Sequence, residues 1–306
     1  MPFHVRDPWR VQYFTGVPCP AGVDVPVDDI DCWDWFPEYR FIYDKLFVAR
    51  SQGVAAGTIA ELPRHFPVFA KPRVNLKGMG KDSCILADAA SFTAFMTPEH
   101  MWMELFRGEH VSTDCAVVQG KVMWSRHATG ITWHSGTFKH WIIHAAAQRA
   151  LEDSLSIWIA RSLPRYTGMI NIETIGGRII EAQLRFADQW CDLNGKGWLA
   201  SVAKLYASGN WSFDDSGRRD AYSVPLFARH GLVPPYPAAD VQQDIRNMPG
   251  IASLQITYHE EKDGTDHPMP PGGFRLGIVN CWELEAGFTA RRRLAEAFSG
   301  TDVMLP

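Results

Sequence analysis

The stretch from Tyr166 to Asp188, YTGMINIETIGGRIIEAQLRFAD, constrains this chain more than any other. Two short runs flank Gly176-Gly177, and both alternate in polarity. Ile170, Ile172 and Thr174 share one parity, Asn171 and Glu173 the other. After the glycines, Ile180, Ala182, Leu184 and Phe186 share one parity, and Glu181, Gln183 and Arg185 the other. Such alternation reads as an antiparallel hairpin with one apolar and one polar face. A two-residue loop would set Glu173 opposite Ile180 and split the apolar sets. A three-residue loop that includes Arg178 sets Glu173 opposite Glu181 and unites them. Because a one-residue slip flips every side chain, the odd loop is the expectation. Asn171, Glu173, Glu181, Gln183 and Arg185 then crowd one face. Paired carboxylates beside an amide are hard oxygen ligands, suited to magnesium that also holds phosphates. The competing reading is a plain solvated hairpin face.

A chain of 306 residues with 46% hydrophobic content can bury a large core in one or two domains. The net charge of −4, without a long basic block, argues against nucleic acid as the main partner. MPFHVRDPWR holds no apolar stretch of signal-peptide type, and no apolar run approaches the ~20 residues that span a bilayer. The expectation is a cytoplasmic protein with no membrane partner. Six cysteines at 19, 32, 84, 115, 191 and 281 include no CxxC pair, and read as reduced, packed thiols.

Residues 1–35, rich in proline and aspartate, read as irregular or short strands. EYRFIYDKLFVARSQ (38–52) has apolar residues at helical spacing, with Gly53 as its stop. FPVFAK (66–71) reads as a strand that ends in Lys71 before Pro72. PRVNLKGMGKDS follows, with Gly78 and Gly80, then the strand SCILA and a helix over 90–96. A glycine loop between two strands forms a flap whose N–H groups can approach phosphates. It is not a Walker A loop: position 75 is asparagine and no Ser or Thr follows Lys81. Strands are expected over 100–107, 109–118 and 121–129, with 132–141 ambiguous, and amphipathic helices over 143–163 and 198–207. Strands over 251–259 and 274–281 and a helix over 283–298 close the chain. His140 and His144 have the i, i+4 spacing of helical metal pairs but lack the glutamate of HExxH and a third ligand. GxSxG and GxGxxG are both absent.

Taken in order, these segments resemble the ATP-grasp superfamily over roughly residues 40–210. The carriers are an Asp44-Lys45 pair in a helix, a strand ending Lys71-Pro72, and a glycine flap. MELFRGEHVSTDCAVVQGKV is similar to the family's adenine hinge and hairpin, and IIEAQLR to its Glu-x-Asn-x-Arg metal strand. The resemblance implies an α+β fold, two lobes with antiparallel sheets clasping a nucleotide. The expected division is a reduced N-terminal segment (1–44), a small lobe with the flap (45–98), a large lobe (99–215) and a C-terminal segment packed on the body (216–306).

It further implies that Lys45 and Lys71 hold the α- and β-phosphates of ATP, while Lys77, Gly78 and Gly80 close over them. Glu104, Leu105, Phe106 and Arg107 would present the hinge to adenine, and Glu109 would meet the ribose. Glu173, or Asn171 in its place, would join Glu181 and Gln183 around Mg2+, with Gln183 standing where the family has asparagine. Arg185 and Lys71 would be catalytic, acting on the transferred phosphoryl group. Arg126 and His127, on the strand after the hinge, are candidates for gripping a substrate carboxylate, with a solvated strand end as the competing reading. The activity implied is an ADP-forming ligase that joins a small-molecule carboxylate to an amine, or less readily a thiol, through an acylphosphate. A nucleotide-binding protein without catalysis and a phosphotransferase are the alternatives. Only 44 residues precede Lys45, so the C-terminal tail or a second subunit of a homodimer is expected to complete the substrate site. Trp124, Trp133 and Trp141 fit either an apolar substrate wall or the core.

Overall fold

In the computed structural model, which describes residues 2–18, 20–95, 97–298 and 300–306, Ile175 pairs with Arg178. The hairpin loop is therefore the two glycines alone, both at positive φ (56° and 77°), as a type I′ turn requires. Glu173 nevertheless stands opposite Glu181, because the ladder passes from Thr174–Ile179 to Glu173–Glu181 and leaves Ile180 over. The expected register is right and the expected three-residue loop is wrong: a β-bulge supplies the extra residue. Ile179 takes the core side, and Ile180 turns to the other face, among Leu46, Met101 and Met103.

From the N-terminus, β1 (Phe3–His4) pairs in parallel with β2 (Val25–Pro26), with the short α1 (Val11–Phe14) between them. The helix α2 (Asp29–Trp35) then departs from the irregular chain expected there, with Asp29 and Asp31 in its first turn suiting the N-terminal dipole. The single helix expected over 38–52 is two pieces. Residues Pro37–Tyr43 form a 3-10 turn, Asp44 is extended (φ −76°, ψ 102°), and α3 (Lys45–Ser51) starts afresh. The Asp44 carboxylate accepts from the Leu46 amide at 3.0 Å, capping this new start.

The small lobe is an antiparallel sheet of β3 (Ala56–Thr58), β4 (Val68–Pro72), β5 (Cys84–Leu86) and β6 (His100–Glu104), in the order β3-β6-β4-β5. The helix α4 (Ala89–Ala94) packs on β5; Met96, its expected end, lies outside the described residues. The large sheet begins with β7 (His110–Val118), β8 (Lys121–Thr132) and β9 (Phe138–Ile143), and crosses α5 (Arg149–Ser162) to the hairpin β10 (Gly168–Ile175) and β11 (Arg178–Gln183). The helix starts six residues later than expected, because Ile143 is paired with Ala128 and Ala221.

After α6 (Trp198–Ser208) come β12 (Ala221–Ala228), α7 (Ala239–Arg246), β13 (Ile251–Ile256), β14 (Phe274–Cys281), α8 (Leu284–Glu296) and β15 (Val303–Met304). These strands continue the large sheet in the order β11-β10-β7-β8-β9-β12-β14-β13, with β15 on β12. The C-terminal segment thus extends the same sheet. One face of the hairpin end packs Ile170, Ile172, Ala182 and Leu184 against Leu155, Trp158 and Ile159 of α5. The opposite face turns toward the small lobe. No helix among the described residues is long and apolar enough to cross a membrane. Cys32, Cys84, Cys115, Cys191 and Cys281 are free thiols, and Cys19 lies outside the described residues.

Candidate active site

Period-two side chains on adjacent strands fall into rungs across a sheet. One rung here runs Glu181, Glu173, Ser112, Ala128; the next runs Gln183, Asn171, Asp114, Arg126. Two glutamates directly opposite each other repel, so this rung costs stability unless each carboxylate is met by a cation or a hydrogen-bond partner. Both are met. Lys45 Nζ is 3.4 Å from Glu181 Oε1, and His110 Nε2 is 3.0 Å from Glu173 Oε2. Burial works to raise the Glu173 pKa, but His110 as hydrogen-bond partner and charge, with Arg185 and Lys71 behind it, holds the carboxyl below its usual range.

Lys71 comes from β4 of the small lobe, and its Nζ donates to the Ile180 carbonyl at 2.7 Å. That carbonyl belongs to the bulged residue, which has no partner across the hairpin ladder. Burial brings the Lys71 amine down to about 8, against the pull of Glu181 and Glu173 and with the push of Lys45. Lys45, Lys71, Glu173 and Glu181, chosen from three separate segments, therefore lie together around the hairpin bulge.

Of the two candidates for the partner of Glu181, Asn171 is buried at 2% exposure and its amide nitrogen is committed to Asp114 Oδ1 (2.8 Å) and Ser112 Oγ (2.9 Å). The Glu173 side chain remains 29% exposed. Gln183 Nε2 donates to Glu181 Oε1 at 3.1 Å. Arg185 is engaged as well: Nε and one terminal nitrogen donate to the two oxygens of Asp29, each at 3.0 Å, and the other to the Phe186 carbonyl. Burial works against the Arg185 charge, and Asp29 and Asp188 raise its pKa.

Residues 105–109 link β6 of the small lobe to β7 of the large one, which places Glu104, Leu105, Phe106 and Arg107 at the junction. Phe106, Phe69 and Ile180 line its apolar side with Leu46, Met101 and Met103. Glu104 is exposed and its carboxylate accepts from the Ala55 amide at 3.1 Å, so the side chain belongs to the β3 edge. Glu109 is exposed and its carbonyl accepts from the Gly176 amide at 3.0 Å. In the flap, Gly78, Met79 and Gly80 all have positive φ, near 63°. Asn75 closes the loop through the Gly78 carbonyl and the Lys77 amide, leaving the Lys77 side chain exposed.

Arg126 and His127 are buried, so neither is a solvated strand end, and only Nε of Arg126 is left without a partner. Arg126 is buried, bonded to the carbonyls of Leu193 (2.8 Å) and Arg219 (2.6 Å). His127 is buried between Thr113 and Glu152. His140 and His144 lie on and just after β9, where i, i+4 residues do not share a helix face; His144 bonds Thr129 Oγ1 instead. Trp124 is core, with Trp198 and Trp211, while Trp141 packs on His110 and Phe138.

Sequence reasoning missed His110, Asp29 and Asp114. His110 and Asp114 share the parity of Ser112 in HVSTD, a signal that becomes readable once β7 is paired with β10. Asp114 is buried and pushed up to about 6 by desolvation, against hydrogen bonds from Ala187 and Asn171. A groove of about 520 Å³ bounded by Phe41, Phe47, Ser51, Arg161 and Ser162 contains none of these residues.

Among the described residues no group of three or more His, Cys, Asp or Glu side chains is placed to hold a metal alone. Magnesium uses one or two carboxylates and takes its remaining ligands from water and phosphate. The facing Glu173 and Glu181, with two lysines beside them to meet phosphate charge, fit that divided coordination.

A small antiparallel lobe hinged over the polar face of a larger antiparallel sheet is the two-lobed α+β architecture of the ATP-grasp superfamily. Solved structures carry the same fold. An L-amino acid ligase from Bacillus licheniformis superposes with a TM-score of 0.59 at 12% identity, covering 87% of this chain and 73% of that one. The N5-carboxyaminoimidazole ribonucleotide synthetase of Thermotoga maritima gives 0.59 at 13% identity, over 100% and 86% of the two chains. The biotin carboxylase domain of Hydrogenobacter thermophilus 2-oxoglutarate carboxylase, solved with MgADP, ADP and bicarbonate, gives 0.56 at 13% identity, over 90% and 69%. No family model and no curated protein matches the sequence. The protein has the ATP-grasp fold.

Proposed function

We propose that this chain is a magnesium- and ATP-dependent ligase that activates a carboxylate as its acylphosphate and passes the acyl group to an amine, releasing ADP and phosphate. The observation that carries this reading is the convergence of Lys45, Lys71, Glu173 and Glu181 around the bulge of the acidic hairpin. Lys45, from α3, and Lys71, from β4, bind the phosphate chain. The hinge from Glu104 to Arg107 and the apolar surface of Phe69, Phe106 and Ile180 receive the base. Glu173 and Glu181 hold magnesium, which supplies charge neutralisation on the phosphates when bound. Arg185 faces the charge that develops on the transferred group, in exchange for part of its contact with Asp29. The flap at Lys77–Gly80 excludes water. In the reaction a carboxylate oxygen displaces ADP from the γ-phosphorus. The amine nitrogen then attacks the acyl carbon, phosphate leaves with the C–O electrons, and the amine loses its proton.

A second reading, nucleotide binding without catalysis, is favoured by two contacts. The Gln183 amide donates to Glu181, which occupies a ligand oxygen, and Arg185 is already neutralised by Asp29.

At about 100 times its Kd, a nucleotide stabilises by about 2.7 kcal/mol, which is about 4 °C in Tm for a chain of this length. Mg-ATP is expected to raise the Tm by that amount, and Glu181→Ala to remove most of the rise. No shift with any nucleotide would overturn both readings. Phosphate released only when a carboxylate and an amine are both present identifies the ligase. A stable phosphorylated product identifies a phosphotransferase, and nucleotide binding with no release in any pairing identifies the second reading.

A further inference from the structure

Beyond Arg185 the polar row continues through Asp188 to the C-terminal strand β14, where Arg275 stands. Asp188 acts on the charge of both arginines, and so connects the phosphate end of the cleft to Arg275. The Arg275 stem is fixed: Nε donates to Thr257 Oγ1 at 3.3 Å, and that hydroxyl donates to the Arg275 carbonyl at 2.9 Å. Its two terminal nitrogens have no hydrogen-bond or ion-pair acceptor among the described residues. The nearest carboxylates are already engaged. Asp188 lies 2.5 Å and Asp7 3.2 Å from Arg10, which also takes Asp28 at 2.5 Å. Asp7 further faces His259 at 3.7 Å.

Arg275 is half-buried, and its guanidinium fork has no carboxylate within ion-pair distance. Desolvation brings the Arg275 pKa down to about 10, with Asp188 opposing and Arg10 assisting. Holding such a charge unpaired is costly, and a ligand with two coplanar oxygens relieves the cost through a bidentate pair. The charges acting on Arg275 are Asp188, Arg10 and Asp7, while those acting on Lys71 are Glu181, Lys45 and Glu173. Lys71 stands on β4 of the small sheet and Arg275 on β14 of the large one, so a group held at Arg275 is met by a different element.

Resting on the ligase reading, we propose that Arg275 recognises a second carboxylate on the substrate, distinct from the carboxylate that is phosphorylated. The substrate is then a molecule with two anionic groups, and the C-terminal strands contribute to its recognition.

Titration calorimetry of the full chain with malonate, succinate and glutarate tests this, with acetate, butyrate and inorganic phosphate in parallel. At least one dicarboxylate is expected to bind, Arg275→Gln to weaken it tenfold or more, and Arg275→Lys to bind with intermediate strength. Monocarboxylates are expected to bind wild type and Arg275→Gln alike. Dicarboxylate affinities within twofold between wild type and Arg275→Gln, or no dicarboxylate binding to wild type, overturn the assignment. Tighter inorganic phosphate binding that depends on Arg275 overturns it in favour of a phosphorylated substrate. The Tm of each unliganded variant reports its folding. The Mg-ATP shift is expected to persist in Arg275→Gln; its absence from wild type as well is a failure of the ligase reading, not of Arg275.

Discussion

The Nζ of Lys71 donates to the carbonyl of Ile180 at 2.7 Å, joining the small lobe to the bulge of the acidic hairpin. A lysine from one sheet is thus tethered beside two carboxylates of another. The bulge that frees this carbonyl also brings Glu181 opposite Glu173, so one irregularity both recruits the cation and pairs the anions.

On the proposed reading, Lys71 would make nucleotide binding pH-dependent. Its pKa in the folded chain is lowered from 10.5 to about 8, so between these values the folded state binds fewer protons than the unfolded one. Stability from this group alone therefore rises with pH across that window. Phosphate binding runs the other way, since it needs the protonated amine. The Tm gain from Mg-ATP is expected to shrink between about pH 7 and pH 9. In Lys71→Arg, whose guanidinium stays charged, the gain is expected to be the same at both; an equal decline in that variant would remove Lys71 from the binding site.

Asp29 and Arg185 give a second test. Removing one charge of a mostly buried pair costs about 3 kcal/mol, so Asp29→Asn is expected to lower the unfolding free energy by about that amount in urea. The freed guanidinium is then open to phosphate oxygens. Mg-ATP affinity, measured by calorimetry, is expected to rise about tenfold, the worth of one charge-assisted hydrogen bond. A fall in affinity with the fold intact would show that Arg185 does not face the nucleotide.

The two glycines of the turn differ. At Gly177 a Cβ meets nothing within 4 Å, so Gly177→Ala carries only the left-handed backbone penalty of about 1 kcal/mol. At Gly176 a Cβ would fall on the Arg107 carbonyl oxygen, and Gly176→Ala is expected to cost about 2 kcal/mol more. Urea unfolding of both variants checks the order, and equal losses would contradict the close approach.

Most of the hairpin was legible because period-two polarity survives without any knowledge of neighbours. The bulge was not, since Ile179 and Ile180 are equally apolar and either can take the core side. The break at Asp44 was hidden because IYDKLF keeps helical spacing while the aspartate caps the following turn. Asp29 stands 156 residues from Arg185, and no local pattern ties the two. Arg275 lies in FRLGIVNC, readable as a strand, but its chemistry depends on β14 joining the same sheet as the glutamates, a fact of topology. That Lys45 and Lys71 lie beside the hairpin was readable only through segment order, which long-range contacts preserve even where local boundaries shift.

The contact of Gly176 with the Arg107 carbonyl has a bearing on how this chain can vary. Gly108 presses on Gly176 from the same side, and the Glu109 carbonyl takes the Gly176 amide. The interlobe hinge and the hairpin turn are thus seated on one another at their backbones. A residue inserted in either would displace the other, so natural relatives or engineered variants that lengthen the hinge must remodel the turn in concert, and with it the spacing between the interlobe link and the acidic pair.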